Sequence, residues 1–218
     1  MIQIQQLGHQ YPRSPQPLFR QLSFTAEAGD RVAVTGPSGI GKTTLIKIMA
    51  GLLPCQKGTV ICGNTALHNA GDKEASYFRN HHAGVVFQDY NLLGDLTVFE
   101  NLRLRMAIAG HPVQKDEQAH FRALLTSVAM DDFLHVPVRK LSGGQQQRIA
   151  AVRALLTEPK VLLADEPTGN LDDESAELVI GLLLEDHPER VVVVATHDPR
   201  VLQHFSRQVR LTDLECAP

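Results

Sequence analysis

The segment GPSGIGKTT at residues 36–44 constrains this chain more than any other feature. It fits the pattern G-x-x-x-x-G-K-[ST] and lies between an apolar strand-like run, RVAV at residues 31–34, and a helical run over residues 42–51. That context turns a glycine-rich turn into a phosphate cradle. Glycine lets the backbone coil closely, so the amides of Gly39, Gly41, Lys42, Thr43 and Thr44 are expected to face phosphate oxygens, with Gly36 and Ser38 part of the same loop. The following helix adds the positive end of its dipole. Lys42 is placed to reach the β- and γ-phosphates of a nucleotide, and the Thr43 hydroxyl to bind Mg2+.

The rest of the chain supplies what such a loop needs. Continuous apolar runs, VLLA at residues 161–164 and VVVVAT at 191–196, suit parallel strands covered on both faces. Further strands are expected at residues 2–7, 22–26, 59–62 and 84–87, and a turn-rich loop at 11–17. Between residues 95 and 157 helical periodicity takes over, at 97–109, 115–129 and 143–156, punctuated by Pro112 and Pro137. Helix 172–184 follows the 161–164 strand, and His81 and His82 are expected in a surface loop before the strand that ends at Gln88. The reading is an α/β core with an all-helical insert, in one domain of 218 residues.

Composition excludes several classes. Hydrophobic residues at 43% and charged residues at 21% rule out a disordered chain. No apolar run approaches the ~20 residues of a membrane span, and the N-terminal MIQIQQLGHQ shows no signal peptide. A net charge of −3 provides no basic field for nucleic acid. Cys55, Cys62 and Cys216 make neither a disulfide framework nor a zinc site, which fits a reducing cytosol.

Two further segments carry chemistry. VLLADEP ends a buried strand in two carboxylates, where ligands of a parallel sheet bind. Asp165 can hold the Mg2+ shell and Glu166 can orient and deprotonate an attacking water, although a solvated strand end explains the pair if taken alone. LSGGQQQR, at residues 141–148, opens a second glycine-rich helix start. By residue types alone it reads as a capped helix start sooner than as an anion site.

With LSGGQ the chain resembles the ATP-binding cassette (ABC) ATPases, and the resemblance covers essentially its whole length. It implies a P-loop (RecA-like) parallel-sheet core with a small N-terminal antiparallel β subdomain, residues 1–94 and 158–218 together, and a helical subdomain at 95–157 that carries the signature. It implies ATP and Mg2+ as ligands. Tyr11, about 25 residues before Gly36, is similar to the family's adenine-stacking aromatic, with a loop tyrosine packed on a neighbour as the alternative. Gln88 looks like the glutamine that touches Mg2+ and water, and His197 like the histidine that contacts the γ-phosphate. Asp172, in GNLD, looks like part of the loop joining two subunits, or is only a helix cap. In the family two copies pair head to tail, so Ser142, Gly143, Gly144 and Gln145 are expected to close over ATP held by the other chain.

The run FQDYNLLGDLTVFENLRL at residues 87–104, with ADEPTGNLD, is similar to the branch serving lipoprotein release, macrolide export and cell division. The branch implies a peripheral subunit at the cytoplasmic face of the inner membrane, working with a separate transmembrane permease. Phe87, Tyr90, Leu92, Leu93 and Leu96 are expected to line its docking groove, with core packing as the alternative for several of them. An importer ATPase, or a cassette driving mechanotransmission without transport, stays open. A coiled-coil chromosome or repair ATPase is disfavoured by the short gap, about 100 residues, between loop and signature, and a two-cassette translation factor by the single set of motifs. About 20 residues follow His197, so no regulatory C-terminal domain is expected.

Overall fold

A computed structural model describes residues 1–112, 115–185 and 187–215. Cys216 lies outside them. Among the described residues Cys62 is buried and Cys55 half-buried, both as free thiols, and burial pushes the Cys62 thiol up to about 12.

Two sheets share the work. Strands β1 (Ile2–His9), β2 (Phe19–Ala26), β4 (Lys57–Cys62) and β5 (Thr65–Ala66) form an antiparallel sheet in the order β2-β1-β4-β5. Strands β3 (Arg31–Thr35), β6 (Ala83–Val86), β7 (Val161–Asp165), β8 (Val191–Ala195) and β9 (Arg207–Arg210) form a parallel sheet in the order β6-β7-β8-β3-β9. Along β7 and β8, alternate side chains enter two different cores. Leu162, Ala164, Val192 and Val194 face the helical side, and Val161, Leu163, Val191 and Val193 face the side of the antiparallel sheet. All eight are buried, as their uninterrupted apolar sequence requires.

Helix α1 (Lys42–Met49) follows β3 directly and packs against β7 and β8. Helices α3 (Val98–Ile108), α4 (Glu117–Thr126) and α5 (Gly143–Leu155) occupy the middle of the chain, around Leu102, Phe121 and Ile149. Both α3 and α5 start with a reciprocal cap. Thr97 Oγ1 accepts from the Glu100 amide while Glu100 answers the Thr97 amide, and Ser142 does the same with Gln145. Helix α6 (Asp173–Leu183) starts at Asp172, which accepts from the Ser175 amide at 2.8 Å.

The structure corrects some sequence expectations. His81 ends helix α2 (Asp72–His81) and His82 caps it, so the pair is not in a loop. The helix is polar and buries only Ala75 and Phe78, too few positions to show a period. The helix expected at 115–129 spans only Glu117–Thr126: Asp116 is its non-helical N-cap, and the chain turns away through Ala129 at a positive φ of 52°. Strand β9 and the short helix α7 (Pro199–Leu202) carried no sequence signal strong enough to place them.

Candidate nucleotide site

Apart from Tyr11, each group of the site sits at the carboxyl end of a parallel strand. The loop after β3 turns into α1 through Gly41, whose φ is +111°. A side chain there would be strained in backbone and would also meet the Phe19 ring at 2.8 Å. The loop wraps around its own lysine: Lys42 Nζ donates to the Gly36 carbonyl at 2.8 Å and the Pro37 carbonyl at 3.3 Å.

Strand β7 delivers Asp165, which is 2% exposed. Burial first, and then the Glu166 charge, raise the Asp165 carboxyl above the usual range, while a hydrogen bond from Thr43 and the charges of Lys42 and Lys47 oppose the rise. A buried carboxylate in contact with a hydroxyl, with a second carboxylate adjacent, is a donor set that suits a hard dication. Among the described residues no group of three or more His, Cys, Asp or Glu side chains could hold a metal. A cation here would therefore rely on Asp165, Thr43, Gln88 and phosphate oxygens.

Glu166 leaves the strand with a φ of +46°, an uncommon backbone for a non-glycine residue. Its amide still donates to the Ala195 carbonyl at 2.8 Å. The carboxylate is held at both oxygens: Thr196 Oγ1 donates to Oε2 at 2.9 Å, and His197 Nδ1 lies 2.7 Å from Oε1. Tyr11 comes from the loop after β1. Its hydroxyl lies 2.9 Å from Thr44 Oγ1, and its ring meets the His9 ring edge-on at 4.9 Å.

These residues meet in one cavity of about 470 Å³, within the usual range for a small-molecule site. Its lining holds Tyr11, Ser38, Gly39, Gly41, Lys42, Thr43, Thr44, Gln88, Asp165, Glu166 and His197. Ser142, Gly143, Gly144, Gln145 and Asp172 are not among the lining residues. The start of α5 instead presents Ser142 and Gly143 to solvent, with its first-turn amides partly met by the Ser142–Gln145 cap.

A profile of the ABC transporter family matches residues 19–169. This chain belongs to that family. The LolD 2 ATP-binding protein of a lipoprotein-releasing system from Rhodospirillum rubrum is 39% identical over 198 residues, covering 90% of this chain and 86% of that protein. An uncharacterised ABC transporter ATP-binding protein from Thermotoga maritima is 40% identical over 195 residues, covering 89% and 83%. The cassette MJ0796, solved as a dimer in a post-hydrolysis state bound to ADP and Pi, superposes with a TM-score of 0.89 at 31% identity, covering 96% of this chain and 94% of that one. The cassette is thus an ATP-binding, ATP-hydrolysing subunit of an ABC transporter.

Sequence reasoning missed several groups around the cassette's site. Thr196 holds the second oxygen of Glu166. Thr168, Asp198 and Arg200 form a cluster that ties the loop after β8 to the start of α6. Thr168 Oγ1 donates to Asp198 at 2.6 Å, and Arg200 reaches Asp198, Asp173 and the Leu171 carbonyl. Adjacency to Glu166 and His197 was the only available signal. Of the expected groove residues, Phe87 and Leu93 line an apolar cavity beside α3, but Leu92 packs into the helical core and neither Tyr90 nor Leu96 lines the cavity. The turn after Gln88 reverses direction through positive φ at Tyr90 and Asn91, which a sequence pattern does not reveal.

Proposed function

We propose that the cassette binds ATP in this cavity and hydrolyses it after a second copy lays its signature helix over the nucleotide. Tyr11 stacks on the base, the amides of the loop and Lys42 hold the phosphates, and Thr43, Asp165 and Gln88 hold Mg2+. Bound there, Mg2+ would neutralise charge on the phosphate oxygens. Glu166 orients the attacking water and takes its proton, and His197 steadies that carboxylate and faces the γ-phosphate. Ser142, Gly143, Gly144 and Gln145 complete the site from the other copy, with Asp172 beside them. The observation that carries this reading is the meeting of Lys42, Thr43, Asp165, Glu166 and His197 in one cavity, with the signature start exposed elsewhere.

Residues 95–157 act on this reading as a helical subdomain that carries the signature. The membrane partner docks in the cavity beside α3, on the cytoplasmic face of the inner membrane. That cavity is apolar at Leu93, Leu104 and Ile108 and cationic at Arg79, Arg105 and Arg153, with no carboxylate in its lining. It suits a short helix offering apolar side chains and an acidic one. Among the described residues no helix is long and apolar enough to cross a bilayer, so the embedded part lies in a separate subunit on this reading. The likeness to lipoprotein-releasing ATP-binding proteins points to that branch.

The test is Glu166→Gln with ATP and Mg2+ in light scattering. The expected result is an ATP-dependent doubling of mass, with turnover lower by roughly 10²–10⁴. A variant that stays monomeric at high protein concentration overturns the two-copy site.

A further inference from the structure

We propose that Tyr90 is a positioning residue: it clamps the turn after Gln88 to the start of α5 and to residues 169–172, and so sets how readily the signature surface closes on ATP. The proposal rests on the two-copy reading above. Tyr90 and Asn91 have φ values of 58° and 51°, so two consecutive non-glycine residues hold left-handed backbone. Such a turn persists only where its surroundings over-determine it. Here Arg153, in the last turn of α5, supplies the constraint. Its guanidinium donates to the Tyr90 carbonyl at 2.8 Å and to the Asn91 carbonyl as well. Burial, helped by the nearby Arg105, brings Arg153 down only to about 10, so it stays cationic at neutral pH.

The turn throws the Tyr90 side chain to the other end of the same helix. A Cβ on Gly143 would stand 2.9 Å from the Tyr90 hydroxyl, so glycine is what lets the two approach. Asn170 Nδ2 donates to that hydroxyl at 2.8 Å, across 80 residues of sequence. Gly144 is covered in turn, since a Cβ there would meet Leu171 Cδ2 at 3.2 Å and the Asn170 carbonyl at 3.4 Å. One phenol thus joins the segment bearing Gln88, the signature glycines and the loop that leads to Asp172. Ser142, Gly143 and Asn170 are all exposed, so the clamp lies on the surface a second copy would meet.

Tyr90→Phe keeps the ring and removes the hydroxyl. The expected result is a fall in kcat of roughly twofold to tenfold, the worth of one neutral hydrogen bond. KM and the ATP affinity of the monomer by calorimetry should hold at wild-type values, and Tm should fall by no more than about 2–4 °C. Asn170→Ala should give the same loss, and the double variant no more than either single one. In the Glu166→Gln background, Tyr90→Phe should raise the ATP concentration needed for dimerisation by a similar factor. Wild-type turnover in Tyr90→Phe, losses that multiply in the double variant, or a matching fall in monomer ATP affinity would each overturn the clamp. If Glu166→Gln alone fails to dimerise, the two-copy site falls, and the turnover comparison still decides whether Tyr90 and Asn170 act together.

Discussion

The two glycine-rich helix starts of this cassette are built on opposite plans. At α1 the loop closes on itself: Lys42 is bonded to carbonyls of its own loop, Tyr11 to Thr44, and Glu166 to Thr196 and His197. Each of these side chains has a partner within the chain, and together with the loop they line a cavity. At α5 the glycines serve close packing on one side, against Tyr90 and Leu171, while Ser142 and Gly143 remain open on the other. The same residue type answers two demands, a positive φ at Gly41 and a lack of bulk at Gly143 and Gly144. One half encloses a cavity within the chain, and the other leaves its helix start open to solvent.

That contrast can be broken most sharply at Lys42. Lys42→Ala removes a charge-assisted phosphate contact and should weaken ATP binding by roughly 10–100-fold in calorimetry, with Tm nearly unchanged because the lysine holds only its own loop. Unchanged binding would show that the first half is not the nucleotide pocket. A smaller effect is expected at Asp198, in the cluster that links the histidine loop to the segment packed on the signature. Arg200 first, and Thr168 after it, hold its carboxyl down at about 2, against an ordinary 3.8. A depressed folded-state value means the stabilisation is complete above about pH 4 and is lost as pH falls toward 2. Asp198→Asn should therefore cost about 2 kcal/mol at neutral pH, and the difference from wild type in denaturant melts should vanish in acid. The smallest effect is expected at Ser142. Ser142→Ala removes a helix cap worth about 1 kcal/mol and should lower turnover while leaving monomer ATP binding intact. A parallel fall in binding would erase the distinction between the two halves.

How much of this was legible in sequence follows the range of the interactions. The phosphate loop, the strand ending in Asp165 and Glu166, and the signature are local patterns, and the structure sets the first two in one cavity and the third apart. Strands β7 and β8 declared themselves because both faces are buried and every residue is apolar up to Asp165 and Ala195. The pairing of β1 with both β2 and β4 depends on partners far along the chain, with bulges that a period of two does not encode. Helix α2 buries too little to show its period, and β9 alternates only between half-buried and exposed. The family resemblance places Tyr90 in the docking groove. Its direction is set by backbone reversal and by an arginine 63 positions away.

On the proposal that Glu166 activates the attacking water, its left-handed backbone narrows the routes by which this ATPase can lose its chemistry over time. Valine or isoleucine there would carry a steric burden of about 1–3 kcal/mol on top of the lost carboxylate. Asparagine or glycine enters that conformation at little cost. A descendant that keeps the nucleotide clasp but abandons cleavage is thus most cheaply reached through those two replacements, and one bearing a β-branched residue at this position would need its strand-to-loop corner rebuilt.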